Sequence, residues 1–170
     1  MVKNELEFSI RPVDKIDWLR FELSSGDGSS DDPQYQNALN TLRGCSKIDI
    51  ENPGVERCYI AESNSSILGY IYGFVLPNKL LIPEFVYVRP IYRRKGIAKS
   101  LFIVLEKESK CYTSMIFYHK TMREHYRKIG YIVGENLEVA MKELKPANKK
   151  SSPKADLTGE NFQAGGRKKV

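Results

Sequence analysis

A chain of 170 residues, 41% of them hydrophobic and 28% charged, has the composition expected of one globular domain. The sequence contains no apolar run near the roughly 20 residues that span a bilayer, which argues against an integral membrane protein. Residues 1–6 also lack the hydrophobic core of a signal peptide. Three cysteines without metal-ligand spacing favour a reducing compartment, so a cytoplasmic location is predicted.

The net charge of +6 is concentrated at the C-terminus. Residues 145–170 hold seven basic and two acidic side chains, a charge of +5, which leaves +1 for residues 1–144. Prolines, glycines and lysines with few apolar residues predict a flexible basic tail at 145–170, following a domain at 1–144. Such a tail is either solvated or able to dock onto an acidic partner or nucleic acid. The folded part gains no support as a nucleic-acid-binding protein.

The first third of the chain predicts a strand followed by two helices. Residues 7–13 alternate and predict the strand. Asp14 is expected to cap the first helix, whose buried face is predicted to contain Ile16, Trp18, Leu19, Phe21 and Leu23. Residues 24–32 have loop composition, and Pro33 suits the first turn of the second helix. Gly44 is expected to end that helix, with Tyr35, Leu39 and Leu42 on its buried side.

Three strands are predicted next. Residues 57–62 and 67–76 flank the polar turn 63–66 and predict a hairpin. Residues 80–88 predict a third strand. Within this strand, Pro83 indicates either a bulge or the end of the strand, and the two interpretations have equal weight.

Residues 85–101 predict a strand, a basic turn and the start of a helix. The first amides of a helix have no partner within it, and its dipole is positive there, so this end attracts anions. Gly96 allows a ligand to approach the backbone without a Cβ in the way. Arg93, Arg94 and Lys95 add positive charge beside it. The sequence therefore predicts a phosphate-binding turn.

The rest of the domain is expected to complete a sheet. The helix after the turn has a broad apolar face, and with the strand predicted at residues 112–118 it fits a right-handed parallel crossover. Residues 121–129 predict a short helix with Gly130 as its left-handed cap, followed by a strand at residues 131–133.

Two motifs in these elements resemble those of the GNAT superfamily of acetyl-CoA-dependent N-acetyltransferases. Arg93-Arg94-Lys95-Gly96-Ile97-Ala98 is similar to its diphosphate-binding pattern, Arg/Gln-x-x-Gly-x-Gly/Ala, and Tyr126-Arg127-Lys128-Ile129-Gly130-Tyr131 is similar to its pattern Tyr-x-x-x-Gly-Phe/Tyr. The resemblance spans roughly residues 10–144. It implies an α+β (mixed α/β) fold with a mostly antiparallel sheet of six to seven strands, one parallel crossover and helices on both faces. Residues 137–144 lean helical in composition but would form the last strand.

The resemblance also implies where acetyl-CoA binds. In the family, a bulged strand splays from its parallel neighbour and the cofactor enters the gap. The strand corresponds to residues 80–88, and the backbone N–H groups of Val86 and Val88 would polarise the acetyl carbonyl. The implied cofactor-binding residues are Val86, Tyr87, Val88, Arg93, Arg94, Lys95, Gly96, Ile97, Ala98 and His119. His119 stands where asparagine is common in the family, and Met122 stands where a small residue is common.

Two side chains are candidates for proton transfer. Tyr126 is implied as the general acid, because a phenol with a reference pKa near 10 is protonated and able to donate to a thiolate. Glu84 is the candidate base, on the same side as Val86 and Val88 if no bulge intervenes. Plain packing of Tyr126 and a solvated strand-end Glu84 are the alternatives. His119 and His125 are the only histidines, and no metal site is expected.

The predicted function is acetyl transfer from acetyl-CoA to a primary amine by direct attack in a ternary complex. The amine would belong to a small molecule or a protein, and the enzyme would be a monomer or homodimer that does not bind membranes. The alternative is a GNAT-fold protein with little or no activity that serves as an interaction module through its basic tail. A nucleic-acid-binding protein that works through the tail alone is a third interpretation.

Overall fold

The computed structural model describes residues 6–24, 29–51, 53–134 and 138–145. The strands are β1 Ser9–Pro12, β2 Glu56–Ser63, β3 Ser66–Val75, β4 Leu80–Val88, β5 Thr113–Phe117, β6 Ile132–Val133 and β7 Val139–Glu143. The α-helices are α1 Asp17–Leu23, α2 Tyr35–Cys45, α3 Ile97–Ser109 and α4 Arg123–Lys128. Short 3-10 turns occupy Ser29–Asp31, Pro90–Tyr92 and Lys120–Met122.

The seven strands form one sheet in the order β1-β2-β3-β4-β5-β7-β6. Every neighbouring pair is antiparallel except β4 and β5, which α3 connects in a parallel crossover. Two hydrophobic cores lie on opposite faces of the sheet, since successive strand residues point to opposite sides. One core contains residues of α3 and α4, and the other contains residues of α1 and α2. The predicted α+β fold, with seven strands and helices on both faces, is confirmed.

A bulge interrupts β4 at Glu84. Tyr72 of β3 pairs with Phe85 and its neighbour Gly73 pairs with Pro83, so Glu84 is the extra residue. A Cβ on Gly73 would lie 2.7 Å from the carbonyl oxygen of Ile82, which explains the glycine at this crossing. The bulge interpretation of Pro83 is therefore right, and the strand continues through it.

The sheet splits beyond the first two residues of β4. Leu80 pairs with Thr113 and Leu81 with Ser114, and these are the β4–β5 pairs of the described chain. On its other edge, β4 stays paired with β3, and the N–H of Arg89 donates to Leu68 O at 2.9 Å. Because hydrogen-bonding direction alternates along an antiparallel ladder, the N–H groups of Val86 and Val88 face the gap beside β5.

The predicted start of α1 is wrong, and its predicted buried face is only partly right, because Phe21 is buried and Trp18 is partly buried against the same core. Asp14 does not cap the helix; its own N–H donates to the Asp17 carboxylate at 2.5 Å. Asp17 is fully buried and forms ion pairs with Arg11 and Arg20, which satisfy a carboxylate that could not be buried alone. Asp17 and Phe21 are the buried residues of the helix. The apolar side chains of Ile16, Leu19 and Leu23 are exposed instead.

Helix α2 packs as predicted, with Tyr35, Leu39 and Leu42 buried against the sheet. Its end differs by one residue, because Gly44 remains within the helix and Cys45 closes it. The helix is tied to β3 by the hydroxyl of Tyr70, which donates to Ala38 O at 2.6 Å in the core.

Replacing Tyr70 with phenylalanine is expected to lower the free energy of unfolding by about 1 kcal/mol, because one buried hydrogen bond is lost while the ring is kept. Urea denaturation monitored by circular dichroism measures the change. Tyr112→Phe is the matched control, since Tyr112 is 57% exposed. Equal stabilities of the two variants would contradict the assignment of this bond as the tie between α2 and β3.

The structure describes little of the predicted C-terminal tail. Of the predicted tail at 145–170, only Lys145 belongs to the described residues, so the tail and the domain boundary remain predictions. Within the described ranges, no helix is long and apolar enough to cross a membrane.

Candidate active site

The predicted phosphate turn joins β4 to α3. After the turn Pro90–Tyr92, the backbone of Arg93 is extended, and Arg94 and Gly96 have left-handed φ angles of 63° and 81°. Helix α3 begins at the next residue, Ile97. Glycine is favoured at position 96 because other residues rarely adopt its left-handed φ angle. Crowding is not the reason, since a Cβ there would meet no atom within 4 Å. The turn therefore leaves open space in front of the N-terminus of a 13-residue helix.

A cavity of about 260 Å³ lies against this turn. Its lining includes Val88, Arg93, Arg94, Gly96, Ala98 and His125. The ammonium of Lys95 lies 5.4 Å from the ring centre of Tyr92, and Lys95 is outside the lining residues. Ile97 lines the cavity but is only 1% exposed, so its side chain belongs mainly to the core on the α3 side. The combination of basic side chains and helix amides suits an anion such as a phosphate.

A second cavity, of about 320 Å³, borders the same end of β4. It is lined by Asp32, Pro33, Gln34, Val86, Tyr87, Val88 and Arg93. Val88 and Arg93 line both cavities, so the two spaces adjoin where β4 leaves the sheet. The side chain of Tyr87 belongs to the core beneath α1 and α2, whereas those of Val86 and Val88 pack against the core on the α3 side.

Arg93 connects the two cavities through its contacts. Its Nε donates to Val88 O at 2.9 Å, its terminal nitrogen forms an ion pair with Asp32, and its guanidinium lies 5.8 Å from the ring centre of Tyr87. The Asp32 side chain is only 7% exposed. It also accepts hydrogen bonds from Gln34 N–H at 3.1 Å and from the Tyr87 hydroxyl at 3.2 Å.

These contacts shift the proton affinities of both acidic groups. Loss of hydration opposes the charge on Asp32, but the N–H of Gln34 and the guanidinium of Arg93 outweigh it and lower the pKa of this carboxyl group. Burial and the adjacent Asp32 charge raise the pKa of Tyr87 to about 12. At neutral pH the second cavity therefore holds an ionised carboxylate beside a protonated phenol.

Tyr126 lies on α4, with Phe102 and Tyr131 edge-on to its ring at centroid distances of 6.2 and 6.0 Å. The residue is 7% exposed, and burial raises the pKa of its hydroxyl. This hydroxyl has no hydrogen-bond partner among the described residues, whereas that of Tyr131 contacts Ser114 at 2.6 Å and Glu106 at 3.1 Å. Gly130 ends the segment with φ of 94°, the left-handed cap that the sequence predicts.

Glu84, the predicted base, is the exposed extra residue of the β4 bulge. Its carboxylate has no ion pair or hydrogen bond with the described part of the chain, and it lines neither of the two cavities above. Because a bulge does intervene, strand alternation no longer places Glu84 with Val86 and Val88. The structure thus places Glu84 outside both cavities, and Tyr126 and His119 are also absent from the residues that line them.

The histidine at the first cavity is His125 and not His119, which the sequence predicted to contact the cofactor. His119 begins the turn Lys120–Met122, where its exposed ring accepts a hydrogen bond from Thr121 N–H at 3.4 Å. His125 lines the first cavity instead, and burial, with help from the charge of Lys128, lowers the pKa of its ring. Met122 is 41% exposed. Among the described residues, no group of three or more histidine, cysteine or acidic side chains could hold a metal ion.

Two residues at the cavities, Asp32 and His125, were not predicted from the sequence. Asp32 lies in a stretch with loop composition and meets Arg93 across 61 positions of sequence, so no local pattern pairs them. His125 directly precedes the motif tyrosine, and that position was its one available signal.

Comparisons with known proteins agree with this geometry. Residues 54–133 match the family model of the acetyltransferase (GNAT) domain. No curated protein matches the sequence. Among solved structures, the PaiA N-acetyltransferase of Thermoplasma acidophilum in complex with coenzyme A matches with a TM-score of 0.63 and 15% identity, over 81% of this chain and 99% of that one.

Two further solved structures show how far the structural likeness extends along each chain. A putative GNAT acetyltransferase from Desulfovibrio desulfuricans matches with a TM-score of 0.58 and 11% identity, over 82% of this chain and all of that one. The chain spans 66% of nourseothricin acetyltransferase, with a TM-score of 0.46 and 14% identity over 53% of this chain. Residues 54–133 are thus similar to the GNAT acetyltransferase domain, and the chain shares its fold with the PaiA N-acetyltransferase.

Proposed function

We propose that this protein is an N-acetyltransferase that moves the acetyl group of acetyl-CoA to a primary amine by direct attack in a ternary complex. The observation that carries the proposal is the meeting of two cavities at Val88, one against the basic turn and one beside Asp32. Direct transfer needs both substrates bound at once with their reacting atoms adjacent. Adjoining cavities on the two sides of a strand end meet this requirement.

The residues of the first cavity suit acetyl-CoA. The charges of Arg93, Arg94 and Lys95, together with backbone amides from Gly96 to Ala98, would hold its diphosphate. The N–H groups of Val86 and Val88, which face the gap, would donate to the acetyl carbonyl oxygen, while the Tyr87 backbone between them faces β3. Ile97 would contribute its amide and His119 a more distant contact. When bound, acetyl-CoA supplies a thioester carbon open to attack.

Two side chains would move protons in this reaction. Glu84 would receive the proton that the acceptor ammonium gives up, through intervening water because Glu84 lies outside both cavities. Tyr126 would donate its proton to the sulfur as the carbon–sulfur bond breaks and the nitrogen–carbon bond forms. Its burial and unbonded hydroxyl keep that proton available. The nitrogen would lose its second proton to solvent as the amide forms, and Tyr126 would regain a proton from solvent.

We expect the wild-type protein to bind acetyl-CoA with micromolar affinity and to release free thiol only when an amine is present. Isothermal calorimetry measures the first, and a thiol-reactive dye with a panel of small amines and lysine peptides measures the second. No heat of binding at high protein concentration would contradict the proposed function. A positive panel would also separate small-molecule from protein acceptors.

Three further assignments belong to the same proposal. A cytoplasmic location is favoured by the free, buried thiols of Cys45, Cys58 and Cys111. The catalytic domain is assigned to residues 1–144, as a monomer or homodimer, with the basic tail at 145–170 as an accessory segment for an acidic partner. The alternative of an interaction module rests on that tail, and no observation on the described residues favours it.

A further inference from the structure

The ion pair between Arg93 and Asp32 lies at the boundary of the two cavities. Arg93 lines both spaces, but two of its contacts, the Asp32 carboxylate and the Tyr87 ring, belong to the second cavity alone, and the third, Val88 O, lies where the cavities meet. A guanidinium in the phosphate turn is thus held away from the place where an anion would bind. This arrangement gives Arg93 two competing partners, the Asp32 carboxylate on one side and a phosphate on the other.

Asp32 carries the one carboxylate among the residues that line the second cavity. Its carboxylate is nearly buried and is fixed by Gln34 N–H and the Tyr87 hydroxyl, neither of which neutralises its charge. Arg93 supplies that neutralisation. Removing the guanidinium would leave the carboxylate of this partly buried residue without a positive charge beside it, so another cation would be attracted there. The site is therefore built to accept either Arg93 or a cation from the cavity.

We propose that Asp32 binds the ammonium group of the acceptor, and that Arg93 occupies this carboxylate until the diphosphate of acetyl-CoA draws the guanidinium into the first cavity. The inference rests on the proposed function. It makes the acceptor a compact primary ammonium ion, suited to a space of about 320 Å³. It also makes the binding ordered, with acetyl-CoA first. A diphosphate competes well for Arg93, since it offers more charge than one carboxylate.

Because coupling between two sites is reciprocal, the inference is tested on both ligands. The variants are Asp32→Asn, which removes the charge but keeps the shape, and Asp31→Asn, a matched control at the exposed neighbouring residue. Calorimetry with coenzyme A is expected to show affinity about two- to fivefold tighter for Asp32→Asn than for wild type, the range of one exposed ion pair. Asp31→Asn is expected to match wild type.

The second ligand is n-butylammonium chloride, with n-butanol as the uncharged control. Wild type saturated with coenzyme A is expected to bind n-butylammonium about tenfold or more tightly than wild type alone, since the charged hydrogen bond becomes available. Asp32→Asn should bind it weakly in both states. Arg93→Gln, which frees the carboxylate permanently, should bind it without coenzyme A.

Each outcome separates the possibilities. Unchanged or weaker coenzyme A binding by Asp32→Asn would overturn the exchange of partners, and so would n-butylammonium binding that ignores coenzyme A in wild type. Absence of n-butylammonium binding to the saturated wild type and to Arg93→Gln would overturn the role of Asp32. Failure of wild type to bind coenzyme A would instead contradict the proposed function. Circular dichroism of every variant shows that the fold is retained.

Discussion

The Gly96→Glu variant is expected to bind acetyl-CoA at least about a hundredfold more weakly than wild type. A carboxylate about 4 Å from a phosphate costs about 4 kcal/mol at an effective dielectric constant near 20, and exposure of the turn reduces this. The new side chain would also fill the space in front of α3, where a Cβ meets no atom within 4 Å. Calorimetry with acetyl-CoA measures the loss.

Two controls separate charge in the site from damage to the fold. Gly44→Glu places the same side chain on an exposed glycine of α2 that also has open space, and wild-type affinity is expected. Gly96→Ala tests the left-handed φ of 81° without adding charge. It should cost about 1 kcal/mol of stability and far less affinity than glutamate. Acetyl-CoA binding by a folded Gly96→Glu variant at wild-type strength would remove the phosphate turn from the site.

Replacing Tyr126 with phenylalanine is expected to lower kcat by about a hundredfold or more, the usual contribution of a positioned acid. The dissociation constant for acetyl-CoA should stay unchanged, because the ring contacts with Phe102 and Tyr131 persist. Stability should change little, since the hydroxyl has no partner among the described residues. The raised pKa of Tyr126 means that its proton is retained up to pH 10 and above, so any alkaline fall in rate from this group lies beyond that pH.

The control for Tyr126 is its neighbour Tyr131. Tyr131→Phe loses the hydrogen bonds with Ser114 and Glu106, so unfolding should become easier by about 1–2 kcal/mol while kcat stays within a fewfold of wild type. The two variants are thus expected to show opposite patterns of stability and rate. If Tyr126→Phe keeps full kcat on the amine that wild type uses, Tyr126 serves packing and another group protonates the sulfur.

Local patterns were enough to predict the strand, turn and helix around Gly96, and the family resemblance supplied the arrangement of the sheet. The basic residues before Gly96 and the apolar periodicity after it describe one continuous strand-turn-helix, so nothing distant is needed to place them. The left-handed cap at Gly130 was also predictable, because it depends only on neighbouring residues at the end of a short helix. Even the β4 bulge had a local signal in Pro83, although the signal alone could not separate a bulge from a strand end.

Features that depend on distant partners could not be predicted. Asp17 is buried because Arg11 and Arg20 pair with it, and this leaves much of the predicted apolar face of α1 exposed. Whether Glu84 lies on the same side of β4 as Val86 and Val88 depended on the register between β3 and β4. The extra residue of the bulge breaks the alternation of side chains along the strand. Asp32 gains its place only through Arg93 and Tyr87, on elements that the sequence keeps far apart.

The split between β4 and β5 also makes the protein prone to self-association. It creates a sheet edge inside the domain, where the backbone of residues 82–88 faces a gap instead of a neighbouring strand. Open edges are templates on which other extended chains pair, and most β-proteins shield them. A ligand that fills this gap would therefore hinder self-association as well as take part in the reaction. It would also raise the unfolding temperature in proportion to the logarithm of its concentration. Storage without such a ligand should be the condition under which the protein aggregates most readily.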